Sequence, residues 1–278
     1  MIHITHKNIK IPALGYGTWQ LREQECAKGV ERALGMGYRH IDTAQIYENE
    51  EYVGEAIKNS KVAREEIFLV TKIWLSNVHD GALQRSLDVS LKKLKTDYVD
   101  LLLIHWPVKE VSFAEQMKAL DKVQKANKAR LIGVSNFTVA QMTEVVEKIG
   151  APIATNQVEY HPFLSQKAVY EYILEKGMFL TAYSPLARGK INDENDLKEI
   201  AHKHNKTVGQ VALRWLVQQD SVAAIPKAAS EKHMRENFEI FDFALDDRDM
   251  KVIHGLAHAG GRLINPDFAP DWDKHEAA

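Results

Sequence analysis

The chain has a single cysteine in 278 residues, Cys26, so no intramolecular disulfide can staple it and a reducing compartment is expected. It also has no charge excess: 36 Lys and Arg stand against 38 Asp and Glu, giving a net charge of −2 with the two signs well mixed. Without a basic patch there is no electrostatic footprint for nucleic acid or an anionic membrane, so small-molecule chemistry is the better prior. No apolar run is long enough to span a bilayer, and the opening "MIHITHKNIKIPALGYG" lacks the apolar core of a signal peptide. A cytoplasmic protein is therefore expected. No low-complexity linker interrupts the chain, and residues 1–278 read as one domain. Metal-ligand sets are missing too: HExxH is absent, and His202 and His204 are two apart on a presumed helix, pointing to different sides. A GxSxG elbow is also absent.

What is present is an ordinary globular composition, 45% hydrophobic and 27% charged. A chain of this length can bury roughly three quarters of its unfolded surface, so a full core needs no staples. Cys26 reads as a small buried residue of the first helix. Short apolar or β-branched runs alternate with longer amphipathic stretches, the pattern of βα units and a parallel sheet. Strands are expected at residues 14–17, 40–42, 67–73, 99–105, 131–135, 155–159, 179–183 and 222–225. Eight of them suggest a closed (β/α)8 TIM barrel, an α/β fold. Helices are expected at 23–34, 81–94, 115–125, 139–148, 167–176 and 231–238. In the second, Leu83, Leu87, Leu91 and Leu94 make one apolar stripe. Ahead of the repeat, "HITHKNIKIP" alternates around Lys7-Asn8 as an N-terminal β-hairpin does. After it, Asp246 can cap an additional C-terminal helix ending near Gly255, and the Gly- and Pro-containing tail from Ala259 reads as loop.

Four polar residues sit where strand-like runs end: Asp42 and Tyr47 after "GYRHI", Lys72 after "IFLVT", and His105 after "YVDLLLI". A parallel barrel gathers strand ends onto one face, where groups far apart in sequence can meet. Free tyrosine has a pKa near ~10, and a nearby ammonium lowers it, making the phenol a better acid. A carboxylate can hold that lysine, and an imidazole can add a hydrogen bond to the substrate oxygen. Such a site protonates an oxygen gaining negative charge, as a carbonyl oxygen does when hydride reaches its carbon. Singly, Asp42 or Lys72 reads as an ion-pair partner, Tyr47 as a loop aromatic and His105 as a satisfied histidine. Four coincidences at matching strand ends are harder to accept.

These residues carry a family resemblance. "GYRHIDTAQIYENEEYVG", residues 37–54, is similar to the first signature of the aldo-keto reductases, and "RLIGVSNF", residues 130–137, resembles the second. "TKIW", "IHWP", "NQVEYHP" and "TAYSPL" fall in the expected order, so the resemblance covers essentially the whole chain. It implies that Asp42, Tyr47, Lys72 and His105 form the catalytic tetrad, with Tyr47 as general acid. It also implies a nicotinamide cofactor bound without a Rossmann fold, with NADPH the expected form; "GYGTW" is indeed too short for GxGxxG. By the same resemblance Ser135, Asn136 and Gln157 hold the carboxamide, whose donors and acceptors suit amides and hydroxyls. Tyr183 stacks on the ring, Ser184 and Leu186 meet the pyrophosphate, and Thr18, Trp19, Ile225, Lys227, His233, Glu236 and Asn237 complete the cofactor contacts. Trp19, Trp74 and Trp106 surround the substrate mouth beside Tyr47 and His105. Tyr160 and His161 read as structural.

The chain departs from the family pattern in "IPKAASEKHMREN". Where phosphate-preferring relatives carry a basic residue, a hydroxyl residue and an arginine, it has Lys227, Ala228 and His233. Histidine near pH 7 is mostly neutral and makes one bond where arginine makes a charged fork, so NADH should be better tolerated. "DTAQIYENE", "TKIW" and "GRLINPDFAPDWD" look most similar to the bacterial branch that reduces 2,5-diketo-D-gluconate, methylglyoxal and small aldehydes. Arg262 in that tail reads as a solvated loop arginine, with an anionic substrate as the sharper alternative. A small carbonyl compound is the expected partner, with neither nucleic acid nor membrane, and a monomer is expected. A nicotinamide-nucleotide-binding sensor or auxiliary subunit on the same fold is the competing reading; a metal-dependent hydrolase is a distant third.

Overall fold

The computed structural model describes residues 1–273. The chain opens with a hairpin of β1 (His3–His6) and β2 (Ile9–Pro12), antiparallel with Ile4 opposite Ile11. Lys7 and Asn8 both take positive φ, 45° and 64°, the turn chemistry that a two-residue hairpin needs.

Two compact units follow from the packing: residues 16–156, and residues 1–15 with the chain from 157 onward. The first carries β3 (Tyr16–Gly17), α1 (Glu23–Met36), β4 (His40–Asp42), α2 (Glu50–Asn59), β5 (Phe68–Ile73) and α3 (Ala82–Leu94). It continues through β6 (Val99–Ile104), α4 (Phe113–Lys125), β7 (Ala129–Ser135) and α5 (Val139–Thr143) to the first two residues of β8 (Thr155–Glu159), whose remainder belongs to the second. The second carries α6 (Lys167–Glu175), β9 (Phe179–Tyr183), α7 (Asn195–His204), α8 (Val208–Gln218), β10 (Val222–Ala224), α9 (Glu231–Phe238) and α10 (Asp247–His254).

Strands β3 to β10 stand in chain order in one parallel sheet, the (β/α)8 arrangement expected of alternating units. Leu14 forms a parallel bridge with Ala224, so the chain leading into β3 pairs with the last strand. β4, β5, β6 and β10 are buried at every position, so they show no inside–outside alternation, and the polar residues they carry, Asp42, Thr71, Lys72 and Asp100 among them, are buried as well. Helix starts are marked by Ser112, Thr138, Thr207, Ser230 and Asp246, each accepting a first-turn amide.

Two differences from the sequence expectations concern local geometry. The helix expected over 139–148 is α-helical only to Thr143; Glu144–Lys148 forms a π turn, with the Ile149 amide bonded to the Glu144 carbonyl at 3.0 Å. Helices α2, α7 and α8 were not delimited from sequence. Residues 259–273 are turn and loop, as their composition suggested, and the rest of that tail lies outside the described residues. Arg262, expected to be solvated, is instead 18% exposed, stacked 3.7 Å over the Trp272 ring and 3.9 Å from Glu159. Glu159 anchors that segment by accepting the Leu263 and Ile264 amides at 2.8 and 3.0 Å. None of the described helices is long and apolar enough to cross a membrane.

Candidate active site

Strand register alone brings three of the four candidates to one face. Asp42 is opposite Val70 on β5, and Lys72 lies two residues beyond Val70. Lys72 is opposite Leu103 on β6, two residues before His105. Leu103 in turn faces Gly133 on β7, two residues before Ser135. Side chains alternate along a strand, so Asp42, Lys72, His105 and Ser135 share one side of the sheet.

Tyr47 arrives differently. Chain leaving β4 makes a 3-10 turn at Gln45–Tyr47 and reverses at Glu48, whose φ is 56°. The Gln45 side chain braces that turn, accepting from the Trp74 amide at 2.9 Å and donating to Ser90 Oγ at 3.1 Å. As a result Tyr47 Oη lies 3.4 Å from Lys72 Nζ, and the Tyr47 and His105 rings meet edge to face at 5.8 Å.

Lys72 is completely buried, an expensive place for an ammonium. Its Nζ donates to Asp42 Oδ1 at 2.5 Å and to the Thr43 carbonyl at 2.9 Å. Burial pulls the Lys72 pKa down, while the Asp42 charge and hydrogen bond hold it up. His105 is pushed well below its usual range, first by burial and then by the Lys72 charge, so at neutral pH it is a neutral imidazole. Its Nδ1 is buried with no hydrogen-bond partner among the described residues.

Tyr47 corrects one sequence expectation. Its pKa is pushed well above 10, first by burial and second by the Asp42 charge, where the lysine was expected to lower it. The ammonium is 3.4 Å away, yet its charge is compensated by a carboxylate only 2.5 Å from it. The phenol therefore keeps its proton at rest.

Around this centre Thr18 is fully buried and donates through Oγ1 to the Asp42 carbonyl at 3.0 Å. Trp19 is exposed at 38%, Trp74 packs edge to face on His105 at 5.3 Å, and Trp106 is buried. Asn136, at φ 64°, ties the end of β7 to the centre: its Nδ2 donates to the His105 carbonyl and to Ser135 Oγ, both at 3.1 Å.

The remaining candidates belong to the other unit. Gln157 is buried in β8, Tyr183 ends β9 half-buried, and Ser184 has φ 49° ahead of the half-buried Leu186. Beyond β10, Ile225 is buried and Lys227 is exposed. On α9 His233 is exposed, its amide capped by Ser230 Oγ at 3.2 Å; Glu236 pairs with Lys232 at 3.8 Å, and Asn237 is buried. Tyr160 donates to Gln219 at 2.8 Å and His161 meets Glu159 at 3.1 Å, both structural contacts. Among the described residues no cluster of three or more His, Cys, Asp or Glu could hold a metal ion.

Sequence reasoning passed over Thr43, whose backbone carbonyl holds Lys72, and Glu50, a buried carboxylate accepting from Thr71 Oγ1 at 2.6 Å. A main-chain acceptor leaves no residue-type signal. Glu50 is hidden because a glutamate in a helix's first turn is ordinarily a solvated one.

Residues 13–258 match the Aldo/keto reductase family. Methylglyoxal reductase DkgB of Escherichia coli O157:H7 is 42% identical over 267 residues, 95% of this chain and 99% of that protein. A solved structure bearing the name 2,5-diketo-D-gluconic acid reductase B superposes with a TM-score of 0.96 at 48% identity, covering 99% of this chain and 98% of that one. Another, of a Gox0644 point mutant in complex with NADPH, gives a TM-score of 0.90 at 32% identity over 95% and 96% of the two chains. The chain therefore belongs to the aldo/keto reductase family of oxidoreductases.

Proposed function

We propose that the chain reduces small aldehydes and ketones, with methylglyoxal and 2,5-diketo-D-gluconate as the leading substrates, using NADPH and tolerating NADH. The observation that carries this reading is the Lys72 ammonium held between Asp42 Oδ1 and the Thr43 carbonyl, 3.4 Å from the Tyr47 hydroxyl. A bound nicotinamide nucleotide would supply the hydride to the carbonyl carbon.

The protein's part is the oxygen. His105, neutral, donates one N–H to the substrate carbonyl and fixes its direction. Tyr47 Oη–H stands ready on the same oxygen. As negative charge builds there, the oxygen becomes more basic than a phenolate and takes the Tyr47 proton. Lys72 then faces the new phenolate, an attraction absent before transfer and so a gain specific to the transition state. Asp42 keeps Lys72 charged and aimed. An imidazole whose pKa is depressed carries no imidazolium proton at neutral pH, and its remaining N–H is far too weak an acid to be transferred, which favours Tyr47 over His105 as acid.

For the cofactor, Ser135 and Asn136 at the end of β7 offer the hydroxyl and amide that a primary carboxamide needs, with Gln157 contributing a second amide. Tyr183 would stack on the ring. Thr18, Trp19, Ser184, Leu186, Ile225, Lys227, His233, Glu236 and Asn237 would meet the rest of the nucleotide. Trp19, Trp74 and Trp106 would line the substrate. One domain acting as a monomer completes the reading.

Initial rates on methylglyoxal, 2,5-diketo-D-gluconate and an aromatic aldehyde, each with NADPH and NADH, test substrate and cofactor together. Tyr47→Phe removes only the donor oxygen, so nucleotide binding by fluorescence titration should persist while kcat falls by about 100-fold or more. Wild-type turnover in that variant would overturn the assignment.

A further inference from the structure

Asn49 stands two residues beyond Tyr47 and directly ahead of α2, where an asparagine ordinarily accepts a hydrogen bond from the second or third amide of its own helix. Its side chain makes no such cap. It is 1% exposed, and it reaches across to other segments instead. Oδ1 accepts from Thr43 Oγ1 at 2.7 Å, while Nδ2 donates to the carbonyls of Thr18 at 2.8 Å and Leu21 at 3.0 Å.

Each of these partners belongs to the catalytic surroundings. Thr43 is the residue whose carbonyl accepts from Lys72 Nζ at 2.9 Å. Thr18 donates both its amide and its hydroxyl to the Asp42 carbonyl, each at 3.0 Å. Residues 18–21 form the loop that presents Trp19, and within it Gln20 takes φ 67°, a left-handed conformation that a non-glycine residue holds only when its surroundings enforce it. One acceptor and two donors on a short stem is a combination only asparagine provides.

We propose that Asn49 is a positioning residue for carbonyl reduction: one buried amide fixes both the Thr43 carbonyl that holds the Lys72 ammonium and the loop that carries Trp19. The proposal rests on the reductase reading above. Acid strength and substrate wall are thereby set from one side chain, on opposite sides of it: Oδ1 serves the proton donor through Thr43 and Lys72, and Nδ2 serves the mouth through Thr18 and Leu21.

Two variants of the full chain separate the halves. Asn49→Asp keeps an equally good helix cap, so a mere capping role would leave it like wild type. It keeps an acceptor for Thr43 but turns oxygen toward the two loop carbonyls. Thr43→Val removes only the hydroxyl and spares the loop. For Asn49→Asp we expect kcat/KM to fall about 10- to 100-fold, the scale of an ångström misplacement, with a larger rise in KM for an aromatic aldehyde than for methylglyoxal. Thr43→Val should lower kcat with little change in KM. Its alkaline limb should move to lower pH, because the charged form of Lys72 loses support. Hydrogen exchange at the amides of residues 18–21 should quicken in Asn49→Asp and not in Thr43→Val. Wild-type kinetics and pH profile in both variants, or unchanged exchange at residues 18–21 in Asn49→Asp, would overturn the proposal. Should Asn49→Asp fail to fold, an unchanged kcat and pH limb in Thr43→Val would overturn it alone. Wild-type protein inactive on every carbonyl would sink the reductase reading, while exchange at residues 18–21 would still decide what Asn49 holds.

Discussion

At the scale of single residues, the site is governed by how buried charges are compensated. Lys72 has no solvent contact, so its ammonium depends on Asp42 and on the Thr43 carbonyl. Removing one partner of such a pair would leave an uncompensated buried charge, an effect of about 3–5 kcal/mol. The same burial favours a protonated Tyr47 and a neutral His105, the states that the proposed donor and orienter roles require. In the proposed reading cofactor choice, by contrast, turns on His233 and Lys227, both of which are exposed. A neutral imidazole adds little to a 2′-phosphate contact, whereas arginine adds a permanently charged fork. His233→Arg should therefore raise the ratio of kcat/KM for NADPH over NADH by about tenfold, as one added charge-assisted contact of roughly 1.5 kcal/mol would. Initial rates with both nucleotides check this, and an unchanged ratio would remove His233 from the phosphate site.

At the scale of elements, precision comes from close backbone approach. Gly54 lies in the middle of α2, where glycine is intrinsically worse than alanine by roughly 1 kcal/mol. A Cβ there would meet the Lys93 carbonyl and the Leu94 backbone at the end of α3, well inside van der Waals contact. Gly54→Ala should accordingly destabilise the protein by about 1–3 kcal/mol, although propensity alone predicts a gain. Urea midpoints would show it, and a higher midpoint would mean that the helices separate freely. At the other end of the strands, Asp100 is 1% exposed and ties β5 to β7: it accepts from Arg64 and the Leu69 amide through Oδ2 and from Arg130 through Oδ1. Register held there fixes where Asp42, Lys72 and His105 emerge.

For the whole molecule, buried titratable groups set the pH range of stability. The folded pKa of His105 is depressed well below 6.5, so acid protonates the unfolded chain first. Its contribution is fully present above about pH 6.5 and is lost as pH falls below that toward the folded value. Tyr47, Tyr16 and Tyr38 are raised above 10, so their contribution is present below about pH 10 and is lost as pH rises beyond it. Thermal melts should show Tm falling between about pH 6.5 and 5, with a shallower fall in His105→Gln. An identical slope in that variant would assign the acid sensitivity elsewhere.

The sequence by itself determined the architecture and the centre. Strands β4, β8 and β9 and helix α9 lie at their expected residues, because short strand-like runs alternate with longer amphipathic stretches along the chain, even though β4 (HID) and β8 (TNQVE) carry polar residues at buried positions. Asp42, Tyr47, Lys72 and His105 were equally legible as candidates, since each alone has an ordinary structural reading but all four together after successive strand-like runs, within motifs resembling one family, do not. Tertiary structure alone decided the electrostatic balance. Side-chain type predicts that lysine acidifies tyrosine; only the 2.5 Å Asp42 contact and the burial show that the phenol instead holds its proton. It alone also turned Arg262 from a solvated cation into a stacked, mostly buried one, and made Asn49, which no sequence pattern singled out, a tie between Thr43 and the Trp19 loop. Periodicity records which face of an element is buried, whereas pKa and hydrogen-bond partnership depend on groups that other segments bring within a few ångströms.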